Sequence, residues 1–487
     1  MKIKHSHMHR RSVCLLLALL CAQTASCSSQ TPDIGESTAA DTTTEKADSL
    51  APGFERSDYG GEEFHVLTPE WSMYTSYFFA DEATGEVLND ALYERTLLTE
   101  EYLNIDITHE HTGNYKTYKD SVDQAVLAGD DAYQLVLTHC IGGLGDMVTT
   151  GMLCDWNDIG YVDFDKPYWK KACNEELEVN GKQYFASSDF MLDDYNCILF
   201  NKDMIGSFKL ENPYDLVRSG KWTLDKLTEM SAVVTRDLNG DGKWTIEDQY
   251  GFSSEDQWTW NSFIHAAGIS LVTTDENGSM ALDLDTNRMV TLVEKLDSFI
   301  NGTNDCFNYS IGAKSESERL RIDSGRVLFS LEIQNELYLF RDADVDYGIL
   351  PFPKLDEAQE NYVTLEWQGL MCVPITVKNT DMVGKACELL AYYSGDTVIP
   401  AYIDVTLGEK IARDEDSKEM LDLIYDTMYF DPGLNYFGFA TNMQQLFYTI
   451  PYLIIQGDSS NYMSWLESYK SGAVEEINSF LDAMTQP

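Results

Sequence analysis

The chain has 487 residues, 44% hydrophobic and 12% aromatic, which is too long for one ordinary core and too apolar for a globally disordered chain. Asp plus Glu number 81 against 34 Lys plus Arg, a formal charge of −47. Such a surface repels phosphate backbones and anionic lipid heads, so nucleic-acid binding and electrostatic membrane binding are excluded and a neutral or cationic ligand is the easier fit.

The first twelve residues carry Lys2, Lys4, Arg10 and Arg11 and no acid, and an apolar run of ten follows from Val13 to Ala22. That run is about half of the ~20 residues a membrane-spanning helix needs, so the segment reads as a secretory signal. It ends at TASC, where Ala25 and Ser26 precede Cys27. This resembles the lipobox of bacterial lipoproteins, with Thr24 in place of the usual Leu. The resemblance implies a signal peptide over 1–26, acylation at Cys27 and a chain held by lipid on the outer face of the cell membrane. Residues 27–61 are rich in Ser, Thr, Asp, Gly and Pro, and ordering them would cost entropy for little burial, so they read as a flexible tether. Seven cysteines remain after Cys27, an odd number without a CxxC, and their apolar contexts predict buried free thiols.

Ordered structure is expected from EEFHVL at 62–67, a strand-like run. Residues 86–103 have helical periodicity, 104–111 alternate as a strand, 115–129 are helical and YQLVLTH at 133–139 reads as a buried strand. Strands alternating with helices predict an α/β fold with a parallel sheet, whose ligand sites lie at the carboxyl ends of the strands. A hairpin-like NG turn falls within 179–187, further strands within 195–205, 326–332 and 345–353, and an amphipathic helix over 462–484.

The order VNGKQYFAS, ILFNKDM, ENPYDLVRSGKWTLDKLTEMS, QYGF, WTWNSFIHAAG, DSGRVLFSLE, VDYGILPFPK resembles the extracellular solute-binding proteins of family 1, the maltose-binding-protein-like receptors of carbohydrate ABC importers. The resemblance spans roughly 62–484. It implies a two-lobed periplasmic-binding-protein-like (type II) fold, with one lobe over 62–193 plus 368–410 and the other over 198–365 plus 412–487. The chain would cross between lobes near 193–197, 366–369 and 410. It also implies a carbohydrate ligand, ABC permease subunits as membrane partners, a monomer and no catalytic activity.

Sugar recognition needs flat aromatic faces for the C–H surfaces of the rings and charged or amide groups for the hydroxyls. SEDQWTW supplies Glu255, Gln257, Trp258 and Trp260, of which Glu255 and Trp260 match family positions and Gln257 and Trp258 depart from them. At the first crossing Asp194 matches a family position whose acid bonds sugar hydroxyls, with Asp193 and Tyr195 beside it. Glu332 and Gln334 follow a strand, and Asn335 stands where relatives often have Trp. Trp367 sits at the second crossing. After the first strand Trp71, Tyr74 and Tyr77 are candidates for the rim, and His139 ends a strand where relatives have an aromatic. The bland reading of each is a core aromatic, a solvated turn or a structural histidine. His109 and His111 share one face of a strand without a third ligand nearby in sequence, and carry no metal reading.

RDLNGDGKWTIED is the sharpest local motif. Asp237, Asn239, Asp241, Gly242 and Asp248 occupy positions 1, 3, 5, 6 and 12 of an EF-hand-type loop, with Lys243 offering its carbonyl and Thr245 at position 9. The expectation is a structural Ca²⁺, with Asp248 in place of the usual Glu; the alternative is an acidic turn. Paired carboxylates are common by chance among 81 acids, and no GxSxG, HExxH or phosphate loop occurs. A receptor is therefore expected, the alternatives being the same fold with a peptide or other non-sugar solute, a glycan-acting enzyme, or an adhesive surface protein.

Overall fold

The computed structural model describes residues 50–70, 77–114, 116–139, 142–254, 258–275, 278–308, 319–367, 369–407, 412, 414–438 and 440–484. The signal segment, Cys27 and residues 28–49 of the expected tether lie outside them. Residues 50–61 are docked on the fold, contrary to the expected flexible tether: Tyr59 N–H donates to the Leu103 carbonyl at 3.0 Å, and Phe54 and Tyr59 pack on the core.

Chain order opens with strand β1 (Glu62–Pro69), helix Val87–Leu103, β2 (Ile105–Thr112), helix Lys119–Ala128 and β3 (Leu135–Leu137), close to the expected boundaries. Phe64, Val66 and Leu67 of β1 are fully buried because helices cover both faces of a parallel sheet, which explains why the run lacks strict alternation. The helix Val87–Leu103 stops at Asn104, whose left-handed backbone (φ 50°) returns its N–H to the Glu100 carbonyl. β4 (Asn196–Asn201), β5 (Tyr250–Ser254), the paired β6 (Val272–Thr274) and β7 (Met280–Leu282), β8 (Cys306–Asn308), β9 (Val327–Ile333), β10 (Tyr347–Leu350), β11 (Thr364–Leu365), β12 (Met371–Cys372) and β13 (Met428–Tyr429) follow.

Two main sheets result, one four-stranded in the order β12-β3-β1-β2 and one five-stranded in the order β10-β4-β9-β5-β8. The expected parallel pairing holds for β1 with β2 and with β3, and for β5 with β8 and with β9. The pairs of β12 with β3, and of β4 with β9 and β10, are antiparallel. These antiparallel strands are the ones that bring the chain in from elsewhere, since β4 follows the first crossing and β12 the second. The NG turn forms with both residues at positive φ (Asn180 51°, Gly181 73°), but it closes on a single bridge, Val179 to Lys182, instead of a ladder.

The helix Tyr462–Met484 buries Leu466, Ala473, Ile477, Phe480 and Met484 along one stripe, as its periodicity predicts. Part of that stripe meets elements that the sequence assigns to the other lobe. Phe480 packs on Tyr436 at 5.1 Å between ring centroids, and Tyr436 donates its hydroxyl to the Leu177 carbonyl at 2.6 Å. Gly145 lies so close that a side-chain carbon there would stand 2.3 Å from the Tyr436 carbonyl oxygen. The segment 430–484 is thus shared between the two sheets.

Among the described residues, Cys154, Cys173, Cys197, Cys306, Cys372 and Cys387 are free thiols, all but Cys154 buried. Burial pushes the Cys154 thiol up to about 11, and that of Cys197 higher still, so these are inert fillers of the core. No helix among the described residues is long and apolar enough to cross a membrane.

Candidate functional site

The carboxyl ends of β5 and β9 and the amino end of β4 share one edge of the five-stranded sheet, because β4 runs against β9. The backbone there is stitched from distant segments. Trp367 N–H donates to the Asp194 carbonyl at 2.7 Å, and Gln334 N–H donates to the Tyr195 carbonyl at 2.8 Å. Tyr195 also pairs with Glu366 as an isolated antiparallel bridge. The Asp194 N–H donates to the Glu366 carboxyl at 2.8 Å. Three of the sequence candidates, Asp194, Tyr195 and Trp367, therefore meet where the chain passes between the sheets.

The electrostatics of this crossing follow from burial. Glu366 is 1% exposed, and desolvation, with Asp193 nearby, holds its carboxyl well above the usual range. Lys170 bridges Asp193 and the Met191 carbonyl, and the surrounding carboxylates keep its ammonium charged against the cost of burial. Asp194 is half-buried, and its carboxyl is pushed up to about 7, first by desolvation and then by the charges of Glu336 and Asp193. Asp189 rises to about 6 for the first of these reasons, opposed by Lys170.

Aromatic faces flank these acids. Tyr402 receives a hydrogen bond from the Gln334 side-chain amide, and Asp194 and Tyr77 are both among the charges that act on it. Tyr77 stands edge-on to Tyr402 at 6.1 Å, so the rim predicted after β1 reaches the crossing through Tyr77. Trp367 is half-buried beside Phe447 at 5.9 Å. Several buried polar atoms here have no hydrogen-bond partner among the described residues: the second Glu366 carboxyl oxygen, the Trp367 indole N–H, the Gln334 amide oxygen and both side-chain polar atoms of Asn261. Each such group costs roughly 1–3 kcal/mol unless water or a ligand satisfies it.

Other candidates take different places. Trp260 is 2% exposed, packed on Phe252 and Phe263, and lines a void of about 10 Å³ with Ile264, Leu292 and Ile454. It is a core residue and offers no face to a guest, which corrects the expectation of a stacking platform. Glu332 is equally enclosed and pairs with Arg321, which also reaches Glu336 at 2.9 Å; it holds a cation in place and does not reach a ligand. The Tyr195 side chain is fully buried, edge-on to Tyr425 at 5.6 Å, so its backbone alone contributes to the crossing. His139 follows β3, half-buried, and desolvation lowers its imidazole to about 4, which keeps it neutral. Trp71, Glu255 and Gln257, and the side chain of Trp258, lie outside the described residues. Sequence reasoning missed Lys170, Tyr402 and Tyr425, none of which sits in a motif, and passed over Glu336 at the end of FSLEIQNE, the stretch that holds Glu332 and Gln334.

The loop at 237–248 follows helix Leu224–Val234 and precedes β5, as expected. Asp237 accepts the N–H groups of Gly240 and Gly242, Asn239 that of Asp241, and Asp241 that of Lys243. Asp248 is fully buried and accepts the N–H groups of Leu238 and Thr245. Gly242 has φ +74°, the left-handed turn that the sixth position requires. The donors are of the oxygen type that Ca²⁺ takes. Their carboxylates are nevertheless spent on the loop's own N–H groups, and no three His, Cys, Asp or Glu side chains among the described residues converge as a metal-binding group.

No family model matches the chain, and no curated protein does. Solved structures match in fold. An ABC substrate-binding protein of Listeria monocytogenes in complex with cycloalternan is 13% identical, with a TM-score of 0.58 over 87% of this chain and 99% of that one. A sugar transporter of Rhizobium etli in an open conformation is 14% identical, with a TM-score of 0.58 over the same shares. A receptor of Streptomyces glaucescens, solved unliganded and with acarbose, is 13% identical, with a TM-score of 0.56, again over 87% and 99%. The chain has the α/β fold of these solute-binding proteins.

Proposed function

We propose that this protein is the extracellular substrate-binding component of an ABC importer, and that it takes a mono- or oligosaccharide at the chain crossing around Asp194. The observation that carries the reading is the crossing itself. Tyrosine and tryptophan rings stand beside carboxyl and amide groups with buried polar atoms that lack partners among the described residues, in a fold shared with a substrate-binding protein solved with cycloalternan and a receptor solved with acarbose. Aromatic faces and unfilled donors and acceptors are what a ring of C–H faces and hydroxyls completes.

Closure follows from the same arrangement. The two sheets are joined through short stretches at 193–196 and 366–371, and a ligand that touches both sides favours the closed arrangement by its differential contacts. On this proposal 62–193 plus 368–410 and 198–365 plus 412–429 move as lobes, with 430–484 packed against both. Cys27 carries the lipid, the part of the tether before residue 50 holds the monomeric receptor off the membrane, and permease subunits receive the ligand. The spacing of the 237–248 loop supports a structural Ca²⁺ away from the sugar.

The test is a thermal-shift screen of saccharides against peptides and polyamines, followed by calorimetric titration. A saccharide at a hundred times its dissociation constant adds about 2.7 kcal/mol of stability. Shifts with peptides alone discard the carbohydrate ligand, and cleavage of an oligosaccharide on incubation discards the receptor in favour of an enzyme.

A further inference from the structure

We infer that Asn261 sets the specificity of the sugar site: its side-chain amide takes two adjacent hydroxyls of one sugar ring, and the Trp367 indole N–H takes a further oxygen. The inference rests on the carbohydrate reading and deepens it.

The first observation is an amide with nothing to hold. Asn261 is fully buried, and neither its side-chain oxygen nor its N–H₂ has a hydrogen-bond partner among the described residues. It directly precedes the helix Ser262–Ala266, a place where Asn usually accepts a helix N–H, yet its side chain makes no such bond. Whichever way this amide is turned, it brings donors and an acceptor together. Two neighbouring hydroxyls, each able to donate and to accept, match that pair in a two-point contact. Left unpaired, the same groups cost stability that an apolar side chain of equal size would not.

The second observation is the place. Ser262, next in the chain, is hydrogen-bonded to the Asn196 side chain at 2.8 Å, and Asn196 follows Asp194 and Tyr195 at the start of β4. Trp367 comes to the same stretch from another part of the chain, with its backbone N–H on the Asp194 carbonyl. The Phe447 ring links the two sides, 5.9 Å from Trp367 and 5.8 Å from His265. His265 lies four positions after Asn261, on the same helix face, and its Nδ1 also lacks a partner among the described residues. Unpaired polar atoms on both sides of aromatic rings, beside the crossing, suit a ring of C–H faces and hydroxyls.

A panel of glucose, galactose, mannose, cellobiose, maltotriose and mannotriose identifies the tightest binder. Its deoxy analogues, each lacking one ring hydroxyl, are then titrated calorimetrically against the full chain. Loss of either of two adjacent hydroxyls is expected to weaken binding at least about tenfold, because a buried group is left unpaired. In Asn261→Leu, which keeps the side chain's size, those two penalties shrink to within about twofold, and the intact sugar binds at least about tenfold more weakly. The melting temperature of the same variant without ligand rises by about 2 °C or more, since two unpaired polar groups are gone. Asn261→Asp, the second variant should the first fail to fold, loses the donor and reduces the penalty at one of the two hydroxyls. Deoxy penalties unchanged in either variant, or a lower melting temperature with unchanged affinity, make Asn261 a structural residue and overturn the inference while the carbohydrate reading stands. Saturable binding of spermidine or a peptide with none of the sugars overturns both.

Discussion

In the 237–248 loop, Asp237 and Asp241 keep contact with water, and their carboxylates accept N–H groups no more than five residues away. At the crossing, Glu366 is enclosed, and its carboxyl accepts an N–H 172 residues distant in sequence. The loop spends its acids on local turns and loses little hydration. The crossing removes acids from water, so each must be neutralised by a proton or by Lys170 or Arg321. Acidic residues thus do opposite work in the two places. The loop is self-contained and restrains one segment, whereas the crossing couples segments far apart in the chain.

The sharpest way to break this contrast is Lys170→Met. It leaves Asp193 and Glu366 buried without their cation, which costs about 3–5 kcal/mol for a broken buried pair. Urea unfolding of the variant is expected to show a loss of that size, and Lys170→Met combined with Asp193→Asn to recover part of it. If the single variant unfolds as the parent does, the crossing is solvated and the contrast is wrong.

Ligand binding tests the aromatic side of the crossing. Trp367→Ala removes a half-buried ring and an N–H without a protein partner. Loss of one stacking face and one hydrogen bond is expected to weaken saccharide binding about 10- to 100-fold, or about 1.4–2.8 kcal/mol. The parallel change Trp260→Phe, in the core, is expected to lower the melting temperature by a few degrees while leaving affinity for the ligand the same within about twofold.

Titration distinguishes the two regions more gently. Asp194 has a folded-state carboxyl near 7 against an ordinary 3.8, so between those values the folded state holds more protons than the unfolded one. Stability therefore falls as pH rises through that window, and the contribution is fully favourable only below it. Asp194→Asn removes this dependence. The variant is expected to be about 1–3 kcal/mol more stable than the parent at pH 7 without ligand, with the difference shrinking to nothing near pH 4. Denaturant melts at several pH values supply the comparison, and a difference constant across the range contradicts the burial of this carboxyl.

The same difference governs what could be read from the sequence. Strand and helix positions in 62–139, and the stripe of the helix Tyr462–Met484, were legible because burial repeats along a contiguous segment. The EF-hand spacing was legible for the same reason, since all its groups lie within twelve positions. Asp194, Tyr195 and Trp367 were found at the crossing through resemblance to a family, and the structure brings them together. Lys170 and Tyr402 were not legible, because their partners are Asp193 and Gln334 and nothing local marks either residue. Trp260 misled because an aromatic after a strand looks the same whether it faces a cleft or Phe252 and Phe263. Here it stacks at 5.2 Å on Phe263, in the helix Ser262–Ala266 that follows.

The smallest expected effect concerns the loop. If Ca²⁺ binds there, the ion competes with the loop N–H groups for Asp237 and Asp241, and the gain is the difference between ion and N–H as partners, not the full ion energy. Saturating Ca²⁺ is expected to raise the melting temperature by about 2–4 °C, equivalent to about 1 kcal/mol in a chain of this size. EDTA reverses the shift, and Asp237→Asn abolishes it. Asp248 behaves differently from Asp237 because it is fully buried and accepts two backbone N–H groups. Its removal in Asp248→Ala costs about 1–3 kcal/mol whether or not metal is present. A loop in which Asp237→Asn and EDTA both leave the melt unchanged is an acidic turn held by its own hydrogen bonds. In that case the contrast between the two regions sharpens, since the loop's acids then serve only the backbone beside them.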